Sequence, residues 1–328
     1  MKLLVIPFFL LTFFTAASQR IQKKVVRVIL DTDIGPDYDD VGALAVLHAL
    51  ADKGEVIPLA IMASNKNQLV APTIDLLNTY FGRSDLPIGA VKGSGADIGA
   101  WQKWPEMLLA KYPHTLNSTS DAPDALTLYR KILQNEPDNS VTIVSIGFLT
   151  NLSNLLNSNS DKYSDLSGHD LIKRKVKKLV SMAGEFPEGR EYNLLTDSAA
   201  SSNVFNNWPT PVIFSGFEIG KNIKTGLGLV NDVSIKGPVK DVFAFCMPKA
   251  KEDKAGRMSW DETTVLVAIR GAKPYFGLER GQIEIQGGNN SWKPDKNGSQ
   301  YYLTKALPEN EVAAIIESYM KYQGKESK

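Results

Sequence analysis

The sequence predicts an α/β protein with a mostly parallel central sheet and helices on both faces. Apolar runs of strand length alternate with amphipathic stretches of helix length from VVRVIL onward. The early runs are nearly continuously apolar, which is typical of strands that are buried on both faces of a parallel sheet. A late stretch, GQIEIQGGNNSW, with a return strand QYYLT, predicts a small hairpin.

The first predicted unit sets the pattern for the chain. VVRVIL predicts a strand, and the following DVGALAVLHALADKG predicts a helix. In that helix Val41, Leu44, Leu47 and His48 repeat at helical spacing, and Gly54 is a suitable stop. We expect His48 to be packed in the core.

The later units continue the alternation in chain order. The predicted elements are VIPLAIMA, APTIDLLNTYFG, PIGAV, a helix over 123–136, SVTIVSIG, LTNLSNLLN, KKLVSMAG, DSAASSNVFNNW and PVIFSGF. Helices are also predicted from Asp241, from Asp261 and over PENEVAAIIESYMKYQ. No linker rich in Pro, Gly or Ser divides the chain, which predicts one domain over residues 19–328.

Residues 1–18 have the pattern of a cleavable signal peptide. Lys2 precedes the apolar run LLVIPFFLLTFF, and the small-residue stretch TAAS follows it. An uncleaved anchor is the alternative, but the apolar run is shorter than the ~20 residues that a membrane span needs. We therefore expect a secreted or periplasmic protein without a stable membrane anchor.

The overall charge excludes some partners. The chain has 37 basic and 36 acidic residues, and 43% of its residues are hydrophobic. No basic stripe is interleaved with aromatic residues, so nucleic acid is not an expected partner. The composition favours a small neutral ligand.

The stretch LDTDIGPDYDD holds five aspartates at the end of the first predicted strand. Ligands of parallel sheets bind beyond the carboxyl ends of the strands. Asp39 and Asp40 could cap the following helix, but capping does not explain Asp31 and Asp33. Carboxylates this close repel each other unless they are hydrogen-bonded, protonated or neutralised by a cation, and hard oxygen ligands favour Ca²⁺ or Mg²⁺. The three histidines and the single cysteine show no spacing typical of a zinc site.

DTDIG followed by a paired DD at a helix start resembles the signature of the calcium-dependent, inosine-uridine preferring nucleoside hydrolase family. Further stretches occur in the order of that family: ASN at 63–65, SIGFLTNL at 145–152, MAGE at 182–185, EYNLLTDSAA at 191–200 and WDETTVLVA at 260–268. The resemblance covers about residues 25–272. It implies a Rossmann-like nucleoside hydrolase fold and hydrolysis of the N-glycosidic bond of ribonucleosides to free base and ribose.

The resemblance also implies a set of site residues. The Ca²⁺ ligands would be the side chains of Asp33, Asp40 and Asp261 and the backbone carbonyl of Ile146. Asp33 would also be the general base for a calcium-bound water. The ribose hydroxyls would be bound by Asp39, Asn65, Glu191 and Asn193. Relatives are commonly dimers or tetramers, so a homo-oligomer is expected.

Two departures from the family pattern concern the substrate. Pro36, Asp37 and Tyr38 lengthen the loop before the paired aspartates, so Asp37 competes with Asp39 for the ribose. Trp260 occupies the position where many relatives have a histidine that protonates the leaving base. A tryptophan can stack on a base but cannot protonate it as an acid. This favours a purine substrate whose base is protonated by solvent. Trp101 and Trp104 are the candidates for the opposite wall.

Three further interpretations follow from the sequence. The segment between Met182 and Glu191 is shorter than in relatives, and Glu185 or Arg190 could compensate for a missing asparagine. Trp260 also fits a non-catalytic exported protein that binds a riboside. The triplet DTD at 31–33 superficially matches a Mg²⁺-dependent phosphatase with an aspartate nucleophile.

Overall fold

The computed structural model describes residues 25–324. The signal peptide predicted over residues 1–18 lies outside the described residues. Within residues 25–324 no helix has the length and apolar character that a membrane crossing requires.

The described chain forms twelve β-strands. Their bounds are β1 Val26–Thr32, β2 Val56–Ala63, β3 Ile88–Ala90, β4 Val141–Ile146, β5 Val176–Met182, β6 Glu188–Gly189, β7 Val212–Ser215, β8 Lys224–Thr225, β9 Arg257–Met258, β10 Phe276–Gln286, β11 Asn289–Pro294 and β12 Gln300–Lys305.

The same residues form thirteen α-helices and three short 3₁₀ turns. The helices are α1 Asp39–Asp52, α2 Val70–Tyr80, α3 Trp104–Leu109, α4 Ala125–Asn135, α5 Thr150–Leu156, α6 Gly168–Lys175, α7 Tyr192–Thr196, α8 Ser198–Asn207, α9 Phe217–Gly220, α10 Leu227–Asn231, α11 Pro238–Cys246, α12 Trp260–Arg270 and α13 Glu309–Met320. The 3₁₀ turns are Thr119–Asp121, Met247–Lys249 and Lys251–Ala255.

Ten strands form one sheet in the order β3-β2-β1-β4-β5-β7-β12-β10-β11-β6. The seven strands from β3 to β12 in this order pair in parallel. The last three pairings are antiparallel, and they include the hairpin of β10 and β11. The prediction of a mostly parallel sheet with a late hairpin is confirmed. Strand β12 joins the hairpin to the parallel part, because it pairs with both β10 and β7.

Alternate residues of the central strand β1 face two separate hydrophobic cores. Val28 and Leu30 pack in the core that includes α1, α12 and α13. Ile29 packs in the core that includes α4, α5 and α8. Because successive side chains of a strand point to opposite faces, the helices cover both faces of the sheet, as predicted.

Strand β1 lies at the point where the strand order reverses. Its neighbours are β2 on one side and β4 on the other, and the chain moves outward through β2 and β3 before it returns to β4. Thr32 at the end of β1 pairs with Ala63 of β2 and with Ile146 of β4. Ligands of doubly wound sheets bind at such a switch point, and the aspartate cluster follows β1 directly.

Candidate functional site

A cavity of about 250 Å³ lies at the carboxyl edge of β1, β4 and β5. Six carboxylates line it: Asp33, Asp37, Asp39, Asp40, Glu191 and Asp261. Four of the five aspartates of the first loop therefore reach the cavity.

The four residues predicted as metal ligands come from distant parts of the chain and line this one cavity. Asp33 follows β1, and Asp40 lies in the first turn of α1. Ile146 ends β4, and Asp261 lies in the first turn of α12. All four are at least nine-tenths buried. The fold thus brings these residues together, and their role as ligands stays a prediction.

The three aspartates of this group disfavour each other's charge. Burial raises the pKa of Asp33, of Asp40 and of Asp261 well above the usual value. The charge of Asp33 raises the pKa of Asp40 further, and the charges of Asp39 and Asp40 do the same for Asp261. A cation that approaches these buried carboxylates would stabilise their ionised form.

The donor chemistry of the cavity fits a hard cation. The predicted ligands are all oxygen atoms, as Ca²⁺ and Mg²⁺ prefer. Within residues 25–324, however, no group of three or more His, Cys, Asp or Glu side chains has the spacing of a preformed metal cage. The structure therefore shows the correct donor atoms around one cavity and does not itself identify an ion.

Two neighbours hold the predicted ligands in place. The hydroxyl of Thr32 donates a hydrogen bond to Oδ1 of Asp40, and Oγ1 of Thr32 in turn accepts from the backbone N–H of Ile34 at 3.1 Å. Gly147 packs on the backbone of Asp33, where a Cβ atom would lie 2.4 Å from the Asp33 nitrogen. Only glycine fits at this contact between the ends of β4 and β1.

Asp31 does not line the cavity. It is fully buried, and its carboxylate accepts hydrogen bonds from the hydroxyl of Tyr129 at 2.8 Å and from Nδ2 of Asn151 at 3.2 Å. Burial raises the pKa of Asp31 to about 7. A nucleophilic aspartate must reach its substrate, so this position argues against the phosphatase interpretation of the DTD triplet.

Arg257 contacts both candidates for ribose binding, a role that the sequence did not predict. Its Nη2 lies 2.7 Å from Oδ1 of Asp37 and 2.9 Å from Oδ1 of Asp39. Asp39 is buried, whereas about half of the Asp37 side chain is exposed at the cavity. Burial lowers the pKa of Arg257, but the charges of Asp39 and Asp37 outweigh it and raise the pKa well above the usual value. The only sequence signal was a basic residue three positions before Trp260.

Asn65 is fully buried behind the cavity and is not among its lining residues. Its Nδ2 donates to the backbone carbonyls of Asp33 at 3.1 Å and Ile98 at 2.8 Å. Its Oδ1 accepts from the backbone N–H groups of Ile98 and Asn67. The structure therefore gives Asn65 the role of joining two loops. The predicted contact with the sugar stays a prediction.

Glu191 and Asn193 line the cavity at the start of α7, and their predicted contact with the sugar stays a prediction. The Glu191 carboxylate accepts from the N–H groups of Asn193 at 2.7 Å, Leu194 at 3.0 Å and Gly184 at 3.2 Å. Burial raises the pKa of Glu191 to about 7 in spite of these bonds. Glu185 and Arg190, which could have compensated for the shortened segment, do not line the cavity.

Trp260 forms an aromatic wall of the cavity together with Phe217. The two rings stack with centroids 5.1 Å apart, and Nε1 of Trp260 donates to the backbone carbonyl of Phe217 at 2.9 Å. Gly220 permits this packing, since a Cβ atom there would lie 2.4 Å from Trp260. The indole N–H is therefore already hydrogen-bonded within the wall.

The prediction that Trp101 and Trp104 form the opposite wall is wrong, because neither lines the cavity. Trp104 is fully buried, and its Nε1 donates to the backbone carbonyl of Gly35 at 3.1 Å. Trp101 is 64% exposed. The aromatic residues at the cavity besides Trp260 are Phe217 and Tyr192. No motif in the sequence distinguished Phe217 or Tyr192 from ordinary core aromatics.

The molecule is thus a doubly wound α/β protein with an acidic, oxygen-rich site at the switch point of its sheet. The family described as inosine-uridine preferring nucleoside hydrolase matches residues 28–303, and the chain belongs to this family.

Comparison with individual proteins agrees with this family. The chain is 29% identical over 212 residues to the pyrimidine-specific ribonucleoside hydrolase RihA of Shewanella oneidensis, which covers 58% of this chain and 59% of that protein. It is 31% identical over 213 residues to RihA of Citrobacter koseri, covering 58% of this chain and 60% of that protein. The matches thus span about three fifths of these relatives.

Solved nucleoside hydrolases have the same fold. The plant nucleoside hydrolase PpNRh1 superimposes with a TM-score of 0.69 at 17% identity, covering 91% of this chain and 99% of that chain. The inosine-uridine preferring nucleoside hydrolase of Bacillus anthracis superimposes with a TM-score of 0.66 at 15% identity, covering 90% of this chain and 99% of that chain.

Proposed function

We propose that this protein hydrolyses the N-glycosidic bond of ribonucleosides to free base and ribose with the help of a bound Ca²⁺ ion. The observation that carries the proposal is the meeting of Asp33, Asp40, Ile146 and Asp261 at one cavity of the family fold. These residues come from three separate segments of the chain, so a shared cavity is the arrangement that a common ligand requires.

Asp33, Asp40, Asp261 and the carbonyl of Ile146 would hold the ion. When bound, Ca²⁺ would orient a water molecule and lower its pKa. Asp33 would take a proton from that water, and the position of its nearly buried carboxylate in the lining of the cavity supports this role. General-base catalysis of this kind contributes roughly 10²–10⁴ in rate.

The sugar side of the cavity has polar groups suited to ribose. Asp39, Glu191 and Asn193 line it, and carboxylate and amide oxygens accept hydrogen bonds from hydroxyl groups. A site built around hydroxyls rejects deoxy analogues, because the missing hydroxyl leaves buried polar groups of the site unpaired. Asp37 remains the second candidate for the contact that we assign to Asp39.

Trp260 and Phe217 supply an aromatic surface for the base. We propose a preference for purines, because a larger base gains more from stacking, although the RihA relatives are named pyrimidine-specific.

The proposal also includes export to the periplasm or the medium, supported by the pattern of residues 1–18, and assembly as a homo-oligomer.

The test is the release of base and ribose from inosine, guanosine, adenosine, uridine and cytidine. We expect turnover with calcium and its loss in a chelator. Asp33→Ala should lower kcat by roughly 10²–10⁴, as loss of a general base does. Asp85→Ala is the matched control, because Asp85 is exposed and does not line the cavity. Tight binding without turnover would replace hydrolysis with the alternative of a riboside-binding protein, and faster turnover of uridine than of inosine would remove the purine preference.

A further inference from the structure

The charge of the cavity differs from the nearly neutral charge of the whole chain. Every charged side chain that lines it in the described part of the protein is a carboxylate. The adjacent cation, Arg257, is already paired with Asp37 and Asp39. Even with one divalent cation bound, the negative charge of the six ionised carboxylates would exceed the combined positive charge of that cation and Arg257. Such a cavity attracts cationic ligands and disfavours anionic ones.

Among the described residues, the lining of the cavity includes no histidine or lysine that could protonate a departing base. The indole N–H of Trp260 is bonded to the carbonyl of Phe217. Both oxygens of Glu191 accept hydrogen bonds from the backbone. Burial raises the pKa of the Tyr192 phenol, and the charge of Asp33 raises it further, which weakens it as an acid. A neutral base would therefore have to take its proton from water or from a cavity carboxyl group with a raised pKa, such as Glu191.

One planar cation is already stabilised by this combination of rings and carboxylates. The guanidinium carbon of Arg257 lies 4.8 Å from the ring centre of Tyr38 and 5.1 Å from that of Trp260. Asp37 and Asp39 bind the same guanidinium. Delocalised cations are attracted to aromatic faces and to carboxylates at once. Trp260 and Asp37 also line the cavity, so the same chemistry faces a substrate.

From these three observations we propose that the preferred substrates are ribosides of permanently cationic N-heterocycles, with a ribosylated pyridinium ring as the simplest case. The inference rests on the proposed ribohydrolase function and narrows its substrate class. When the bond between C1′ and the ring nitrogen breaks, its electron pair cancels the positive charge of that nitrogen. The base leaves neutral and needs no proton. Water adds its hydroxyl to C1′, and Asp33 takes the remaining proton.

The first test compares nicotinamide riboside, which carries a pyridinium cation, with inosine and uridine. After subtraction of uncatalysed hydrolysis, we expect kcat/KM for nicotinamide riboside to exceed both others by at least tenfold. A ratio below ten overturns the inference while the ribohydrolase function stands. Absence of turnover of all three substrates with calcium present refutes the ribohydrolase function itself.

The second test separates recognition of the charge from the ease with which a pyridinium base departs. Binding to Asp33→Ala is measured by calorimetry for nicotinamide riboside and for its neutral 1,4-dihydro form, which has nearly the same shape. We expect the cation to bind at least tenfold more tightly. Equal affinity overturns the inference. If the variant does not fold, the same two affinities are measured in the wild type, as the Ki of nicotinamide riboside and the Ki of its dihydro form, each as a competitor of inosine.

Discussion

Nη2 of Arg257 lies 2.9 Å from Oδ1 of Asp39 in a buried ion pair between residues that are 218 positions apart in sequence. The side chains are 6% and 2% exposed. The same nitrogen lies 2.7 Å from Oδ1 of Asp37 in the lengthened loop. Arg257 therefore joins the segment that precedes α12 to the loop that precedes α1, and it fixes the position of the carboxylate that we assign to the ribose.

Replacement of Arg257 by methionine should destabilise the fold strongly. The variant keeps most of the side-chain volume but leaves Asp39 buried without its partner, which typically costs about 3–5 kcal/mol. The measurement is the free energy of unfolding in urea without added calcium. Arg174→Met is the control, since the Arg174 pair with Asp138 is exposed and such pairs contribute about 0–1 kcal/mol. Equal losses in the two variants would contradict the structural role of Arg257.

Replacement of Asn65 by alanine tests whether this residue supports a loop or contacts the sugar. The variant leaves four backbone groups of Asp33, Ile98 and Asn67 without their partner. We expect a loss of at least about 2 kcal/mol of unfolding free energy, given about 1–3 kcal/mol for each unsatisfied buried group. Asn135→Ala, at an exposed helix position, is the control.

The kinetics of the Asn65 variant separate the two roles. If Asn65 acts through the loop, kcat/KM for inosine and for 2′-deoxyinosine should fall by the same factor. A selective loss for inosine would restore the direct contact with ribose that the sequence predicts.

The fold and the acidic part of the site could be predicted because their signals are local. The apolar runs predict the strands of the parallel sheet, and the DTDIG and DD patterns place Asp33 and Asp40 at its carboxyl edge. The roles of Arg257 and Trp104 depend instead on contacts between distant segments. An arginine in a sequence carries no sign that it will be buried against two aspartates, and a tryptophan near a site has no sign that it packs beneath a loop.

Replacement of Thr32 by valine should weaken calcium binding without unfolding the protein. The Thr32 hydroxyl donates to the Asp40 carboxylate, and groups that orient a metal ligand commonly contribute 10–100-fold in affinity, so we expect a loss of about that size. The measurement is calorimetric titration with Ca²⁺. Thr73→Val is the control, because the Thr73 hydroxyl donates only to a carbonyl within its own helix region. Unchanged affinity in Thr32→Val would show that Asp40 either needs no such support or does not bind the ion.

His48 should make the protein less stable as the pH falls. It is fully buried, as the helical spacing predicts, and it stacks on Phe81 with ring centres 4.8 Å apart. Burial and the charge of Arg83 together lower the pKa of His48 to about 3.

Because this pKa is depressed in the folded state, the unfolded chain takes up the proton first. Below pH 6.5 the unfolding free energy should therefore fall, by up to about 1.4 kcal/mol for each pH unit, until the folded pKa near 3 is reached. Above pH 6.5 the contribution is constant. His48→Gln should remove this slope, whereas His169→Gln, at an exposed histidine, should keep it. The measurement is urea unfolding of the three proteins between pH 7.5 and pH 4.5. The same slope in His48→Gln and in the wild type would show that His48 does not cause the acid sensitivity.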